Sequence, residues 1–188
     1  MMKRDQCFDA LARHITDEVV VATYSSAVEW NDLHPRVLNY FSMGAMGLAS
    51  SHGLGLALAN PNKRIVVLDG DGSLLMNLGS LVTIAAAAPR NLVHFVCNNG
   101  CYEANGGHPI PNPKVDFAGL ARSAGYKSCQ DFSELASFEQ QIGHVLEEEG
   151  PVFATLHVEN ARPLKYEYDQ LYSASRRAAI KAELQRTA

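Results

Sequence analysis

Two short polar runs hold the residues best suited to chemistry: Asp69-Gly70-Asp71-Gly72-Ser73 and Asn98-Asn99-Gly100-Cys101-Tyr102. Apolar runs lead into both, Arg64 to Leu68 into the first and Leu92 to Cys97 into the second. Each polar run therefore reads as a turn at the end of a buried strand. Gly70 and Gly72 permit close backbone approach, and Asp71 holds a carboxylate between them. Ser73 stands where a helix would open, and helix N-terminal amides favour an anion. The second turn adds two amide oxygens and exposed carbonyls. Magnesium takes six oxygens and commonly combines few protein ligands with phosphates and water. Asp71, one Asn oxygen, a backbone carbonyl, two diphosphate oxygens and a water would meet that demand. Alone, the first turn could be a bare strand-to-helix connection and the second an Asn-Gly surface turn. It is the pair that points to a cation bound with a phosphate.

The remaining composition narrows the class. A chain of 188 residues can bury a real core, and 47% hydrophobic with 19% charged residues reads as globular. A net charge of -4 argues against a nucleic-acid partner. The Ala- and Gly-rich stretch from Met43 to Ala59 is broken by Ser50, Ser51 and His52, so no membrane span is expected. Met1 to Asp5 is charged and lacks an apolar signal core, so the expected location is cytoplasmic. Cys7, Cys97, Cys101 and Cys129 form no C-x-x-C pair, and no Cys/His cluster accompanies them; free buried thiols are the better reading than a zinc site.

Periodicity supplies the elements that must position the two turns. Helices are expected over 5–17, 27–33, 44–59, from Ser73 to about Ala88, over 116–124, and from an N-cap at Ser133 to Glu149. Strands are expected over 19–23, 64–69, 91–97, 126–129 and 152–158. Residues 98–114, rich in Gly and Pro, read as a functional loop. A last helix is expected from about Leu171 to Gln185. Strands alternating with helices, the central strands apolar throughout, specify a three-layer α/β/α fold with a mostly parallel sheet. Ligands in such folds lie beyond the carboxyl ends of the strands, where both turns stand.

Gly70-Asp71-Gly72, spaced about 25 residues from Asn98-Asn99, resembles the diphosphate-binding signature of thiamine diphosphate enzymes. The resemblance runs from Met43 to about Ala124 and is strongest to the sulfopyruvate decarboxylase β subunits and the matching half of phosphonopyruvate decarboxylases. The Gly106-Gly107 loop and Asp116-Phe117-Ala118 favour these over acetolactate synthases. It implies thiamine diphosphate and Mg2+ as cofactors. It implies Asp71, Asn99 and the Cys101 carbonyl as metal ligands, with Gly70, Gly72, Ser73 and Tyr102 around the diphosphate. Met43-Gly44-Ala45-Met46-Gly47-Leu48 resembles the aminopyrimidine-binding segment. There Gly44 would offer its carbonyl, and Met46, 25 positions before Asp71, would be the wedge that bends the cofactor. Ser25 and Ser26 correspond loosely to a diphosphate-contacting turn, in which Tyr24 stands where relatives often have Gly. Asn98 replaces a frequent Asp, and His108 a frequent Gln.

The family's catalytic glutamate lies on a separate pyrimidine-binding domain, for which this chain has no room. Glu29 and Glu103 match no family position. His108 and Glu103 are candidates only for reaching substrate. The resemblance therefore implies a carboxy-lyase acting on a small 2-oxo acid, completed by a partner α subunit that brings the glutamate. A hetero-oligomer is expected, or a homo-oligomer of the isolated chain. The alternatives are an acetohydroxyacid-synthase-like carboligase subunit and a non-catalytic cofactor-binding or regulatory domain. Residues 1–160 are expected to form the one cofactor-binding domain and 161–188 a helical extension.

Overall fold

The computed structural model describes residues 1–160 and 164–186. The rest of the expected extension, 161–163 and 187–188, lies outside the described residues. In chain order the elements are α1 (Arg4–Ala12), β1 (Val19–Thr23), α2 (Tyr24–Leu33), β2 (Asn39–Ser42), α3 (Ala49–Ala59), β3 (Ile65–Gly70), α4 (Asp71–Met76) and α5 (Ser80–Ala87). Then come β4 (Leu92–Asn98), β5 (Cys101–Tyr102), a 3-10 turn over Glu103–Asn105, β6 (His108–Pro109), α6 (Phe117–Ala124), β7 (Ser128–Phe132), α7 (Leu135–Glu147), β8 (Val152–His157), α8 (Tyr168–Leu171) and α9 (Ala174–Arg186).

Six strands form one parallel sheet in the order β2-β1-β3-β4-β8-β7. The strand side chains alternate between two cores. Val20, Ala22, Val66, Leu68, Val93 and Phe95 face one way, against Phe8 and Leu11 of α1, Trp30 of α2, and Phe138 and Ile142 of α7. Val19, Val21, Ile65, Val67, Leu92 and Val96 face the other, against Ala49 and Ala57 of α3, Leu81 and Ile84 of α5, and Phe117 and Ala121 of α6. This is the expected three-layer α/β/α architecture. The small residues of α3 serve close packing: a Cβ on Gly53 would sit 2.3 Å from Val67 Cγ2.

The order matters for function because the chain leaves β1 toward β2 but enters β3 on the opposite side of β1. The carboxyl ends of β1 and β3 therefore flank a topological switch point, the usual place for a ligand crevice. Ala22 pairs with Leu68, and Gly70 with Cys97, so the turns after β1, β3 and β4 stand side by side.

Several expected boundaries differ. The first helix ends at Ala12 because the chain turns there, with the Thr16 amide donating to Glu18 Oε2 at 2.6 Å. Helix α3 starts at Ala49, not Gly44, because Gly44 and Gly47 take φ of +89° and hold 43–48 as a loop. The helix after the first polar turn splits in two: Asn77 leaves the helical region at φ -143° and donates from Nδ2 to the Gly47 carbonyl at 3.0 Å. Ser133 caps nothing, since α7 begins at Leu135 behind Glu134. β7 lies at 128–132, with Tyr126 turned into the core instead. β2 was not expected, because its four residues, Asn-Tyr-Phe-Ser, carry neither alternation nor an apolar run. Its Asn39 is buried, accepting from Trp30 Nε1 at 2.9 Å and donating to the His34 carbonyl at 2.6 Å.

Candidate active site

A cleft opens at the switch point. Arg4, Thr23, Tyr24, Ser25, Ser26, Met46, Gly70, Asp71, Gly72, Ser73, Cys97, Asn99 and Cys101 to Ala104 line it. Every expected cofactor residue is therefore brought together except Gly44, which is exposed on the Met46 loop. His108 is also outside the cleft, exposed on β6. Glu103 is inside.

Asp71 is only 2% exposed. Its Oδ1 accepts from the Gly72 amide and its Oδ2 from the Gly100 amide, both at 2.7 Å. Burial pushes its carboxyl up to about 6, against the lowering effect of the backbone amides of Gly72, Gly100 and Asn99. No cationic side chain among the described residues pairs with it. Asn99 lies on the same turn: its Oδ1 accepts from the Cys101 amide at 3.0 Å. The Ile110 amide donates to the Gly100 carbonyl at 3.0 Å, so Cys101 and Pro109 are a non-hydrogen-bonded pair of the β5–β6 hairpin and the Cys101 carbonyl points away from β6. The Cys101 thiol is engaged elsewhere, donating to Asn160 Oδ1 at 2.9 Å.

This donor set fits a magnesium ion: one buried carboxylate lacking a counter-charge, an amide oxygen with a spare lone pair, and a backbone carbonyl aimed away from the hairpin, all folded round residues 99–101. Among the described residues no group of three or more His, Cys, Asp and Glu could cage a metal by itself. A cation here would need phosphate and water oxygens to complete its shell.

The anion-facing wall differs in detail from the sequence expectation. Ser73 is not a cap; it lies within α4, and its Oγ accepts from the Gly47 amide at 3.2 Å. This bond ties the Met46 loop to the Asp71 turn and leaves the hydroxyl hydrogen to donate. Helix α4 has only six residues, so its dipole is short, and its Gly72 amide is already bonded to Asp71. The longer α2 starts at the cleft with Tyr24, Ser25 and Ser26. Tyr24 takes φ +44°, a left-handed conformation that suits glycine. Ser25 Oγ and Tyr166 Oη are 2.7 Å apart, bringing the C-terminal segment to the cleft edge. Gly72 is required for packing, since a Cβ there would meet the Tyr102 ring at 2.5 Å.

Arg4 is the cleft residue that sequence reasoning missed. It is 4% exposed. Its Nε binds Glu29 Oε2, and its Nη1 donates to Glu103 Oε2 at 2.6 Å. Burial opposes its charge, but the Glu103 hydrogen bond and the nearby acidic groups outweigh this and hold the guanidinium above its ordinary range. The two glutamates left without a family position are thus both partners of Arg4. The only available signal was an arginine at the start of a helix with one apolar face, which reads equally as a solvated end.

The model of the family described as thiamine pyrophosphate enzyme, C-terminal TPP binding domain, matches residues 20–156. The chain belongs to this family. The sulfopyruvate decarboxylase β subunit of Methanothermobacter thermautotrophicus is 37% identical over 159 residues, which span 84% of this chain and 83% of that one. The phosphonopyruvate decarboxylase of Streptomyces viridochromogenes is 39% identical over 140 residues, 74% of this chain but 35% of that one. Among solved structures, benzoylformate decarboxylase from Polynucleobacter necessarius superposes with a TM-score of 0.73 at 17% identity, over 86% of this chain and 34% of that one. At that identity the likeness speaks for the fold. The TPP-binding domain family thus spans the strands and turns that build the cleft.

Proposed function

We propose that this chain is the diphosphate-binding component of a thiamine diphosphate-dependent 2-oxo acid decarboxylase, and that a second, pyrimidine-binding chain completes its site. The observation that carries the reading is the buried Asp71 carboxylate, lacking a counter-charge, beside the Asn99 amide oxygen on one turn. Asp71, Asn99 and the Cys101 carbonyl would hold Mg2+. Ser73, Ser25, Ser26 and the first-turn amides of α2 would meet the diphosphate, with Gly70, Gly72 and Tyr102 shaping the wall. Met46 would support the bent cofactor, and the Gly44 carbonyl would reach the pyrimidine from outside the cleft lining. When bound, the cofactor supplies the carbanion-stabilising chemistry by which a 2-oxo acid loses carbon dioxide. This chain's share is anchoring and orientation.

The proposed substrate is a small 2-oxo acid with a second anionic group, in keeping with relatives named for sulfopyruvate and phosphonopyruvate. The proposed setting is cytoplasmic; among the described residues no helix is long and apolar enough to cross a membrane. The test is to purify the chain with a pyrimidine-domain chain, supply Mg2+ and thiamine diphosphate, and follow carbon dioxide release from 2-oxo acids. Sulfopyruvate or phosphonopyruvate turnover that needs both chains and both cofactors is the expected result. A complex that binds the cofactor yet releases no carbon dioxide from any 2-oxo acid overturns the decarboxylase assignment.

A further inference from the structure

An amide side chain can hold a metal only through its oxygen, so something must decide which end of Asn99 faces the cation. Two neighbours settle this. The Cys101 amide donates to Asn99 Oδ1 at 3.0 Å, and Asn99 Nδ2 donates to Glu103 Oε2 at 3.3 Å. A flipped amide would set donor against donor at Cys101 and oxygen against carboxylate at Glu103. Glu103 is in turn gripped by Arg4, with Nη1 at 2.6 Å from Oε2 and Nη2 at 3.4 Å from Oε1. Arg4 is anchored on its other edge by Glu29 of α2 and is buried at the base of the cleft. A rigid planar fork suits a role that fixes one carboxylate while bonding another.

We infer that Arg4 and Glu103 are positioning residues: through the chain Glu29–Arg4–Glu103–Asn99 they orient the Asn99 oxygen toward the metal. This rests on the metal reading proposed above. The N-terminal helix α1, which precedes the segment matched by the family model, thereby becomes part of the metal site. Hydrogen bonds of this kind behind a metal ligand typically govern affinity by about 10–100-fold.

The test measures Mn2+ bound to the full chain by electron paramagnetic resonance in the presence of thiamine diphosphate, with thermal melting of the metal-free protein as a fold control. Glu103→Ala should weaken Mn2+ retention by about 10–100-fold. Arg4→Lys, which keeps the charge but loses the fork, should weaken it less. The decisive measurement is the same pair in an Asn99→Asp background. A carboxylate presents oxygen on both edges and needs no orientation, so there the losses should largely vanish, as coupling between neighbours requires. A loss that persists undiminished in that background would mean a general structural role and overturn the inference. So would Glu103→Ala or Arg4→Lys retaining full Mn2+ affinity. A wild-type chain that binds no Mn2+ with the cofactor would refute the metal reading itself, and the inference with it.

Discussion

At the scale of single residues, Asp71 carries a pH signature. Folding raises its pKa from 3.8 to about 6 through burial. The folded, metal-free chain therefore binds this proton more tightly than the unfolded chain. The stability it confers is greatest at low pH, declines as pH rises from about 4 to about 6, and is flat above, a change of about 3 kcal/mol. A cation needs the ionised form, so its binding runs the opposite way and strengthens up to about pH 6 before levelling. The thermal shift given by Mg2+ with thiamine diphosphate should be small near pH 5 and full near pH 7.5. Asp71→Ala should show no metal-dependent shift at either pH, and undiminished binding by this variant would refute the metal assignment. Gly72→Ala should displace the Tyr102 ring, costing about 1–3 kcal/mol and weakening cofactor binding. This part of the site was legible because strands of unbroken apolar character point at Gly-rich polar turns, and the spacing of Asp71 and Asn99 is local to those turns. Arg4 was not legible: its partners lie 25 and 99 positions away, and only the packing of α2 against both α1 and the 3-10 turn over Glu103–Asn105 brings them together.

At the scale of elements, backbone conformation explains both the agreements and the misses. Strands β1, β3, β4 and β8 are buried on both faces and so declare themselves as apolar runs; β2 and β7 are edges whose mixed residues give no such signal. The Met46 loop looked helical because its residues are small and apolar, whereas the two positive-φ glycines that unwind it can be recognised only from coordinates. A testable case of the same physics lies at the end of α5. Ala88 closes that helix at φ +46° and is exposed, with its amide donating to the Ile84 carbonyl at 2.9 Å. A left-handed residue at a helix C-terminus is normally glycine, because a Cβ there clashes with backbone. Ala88→Gly should therefore stabilise the chain by about 1 kcal/mol and raise Tm by about 2–4 °C. A lowered Tm would show that flexibility gained in the unfolded chain outweighs the relieved strain. Ala88 lies far from the lining of the cleft, so cofactor binding should not change.

At the scale of the whole molecule, the cleft is one-sided. Thiamine diphosphate chemistry needs a carboxylate at the pyrimidine end, remote from the metal. Among the described residues, Asp71 and Glu103 are the only acids lining the cleft. Asp71 is committed to the metal turn, and Glu103 is held by Arg4 and Asn99, as Glu29 is held by Arg4. Among the described residues, no acid lining the cleft is left to serve the pyrimidine. Beside Met46, Leu48 is 37% and Met76 52% exposed, an apolar rim of the kind that another chain would cover. Both observations favour a site completed from outside. The isolated chain, fully loaded with Mg2+ and thiamine diphosphate, should release no carbon dioxide from sulfopyruvate or phosphonopyruvate. Adding a pyrimidine-domain chain should restore release, and replacing that chain's glutamate by glutamine should abolish it while the two chains still co-elute. Turnover by the demonstrably partner-free chain would show instead that one of its own acids takes the glutamate's place. Glu103 would then be the first to test, because it is the acid lining the cleft outside the metal turn.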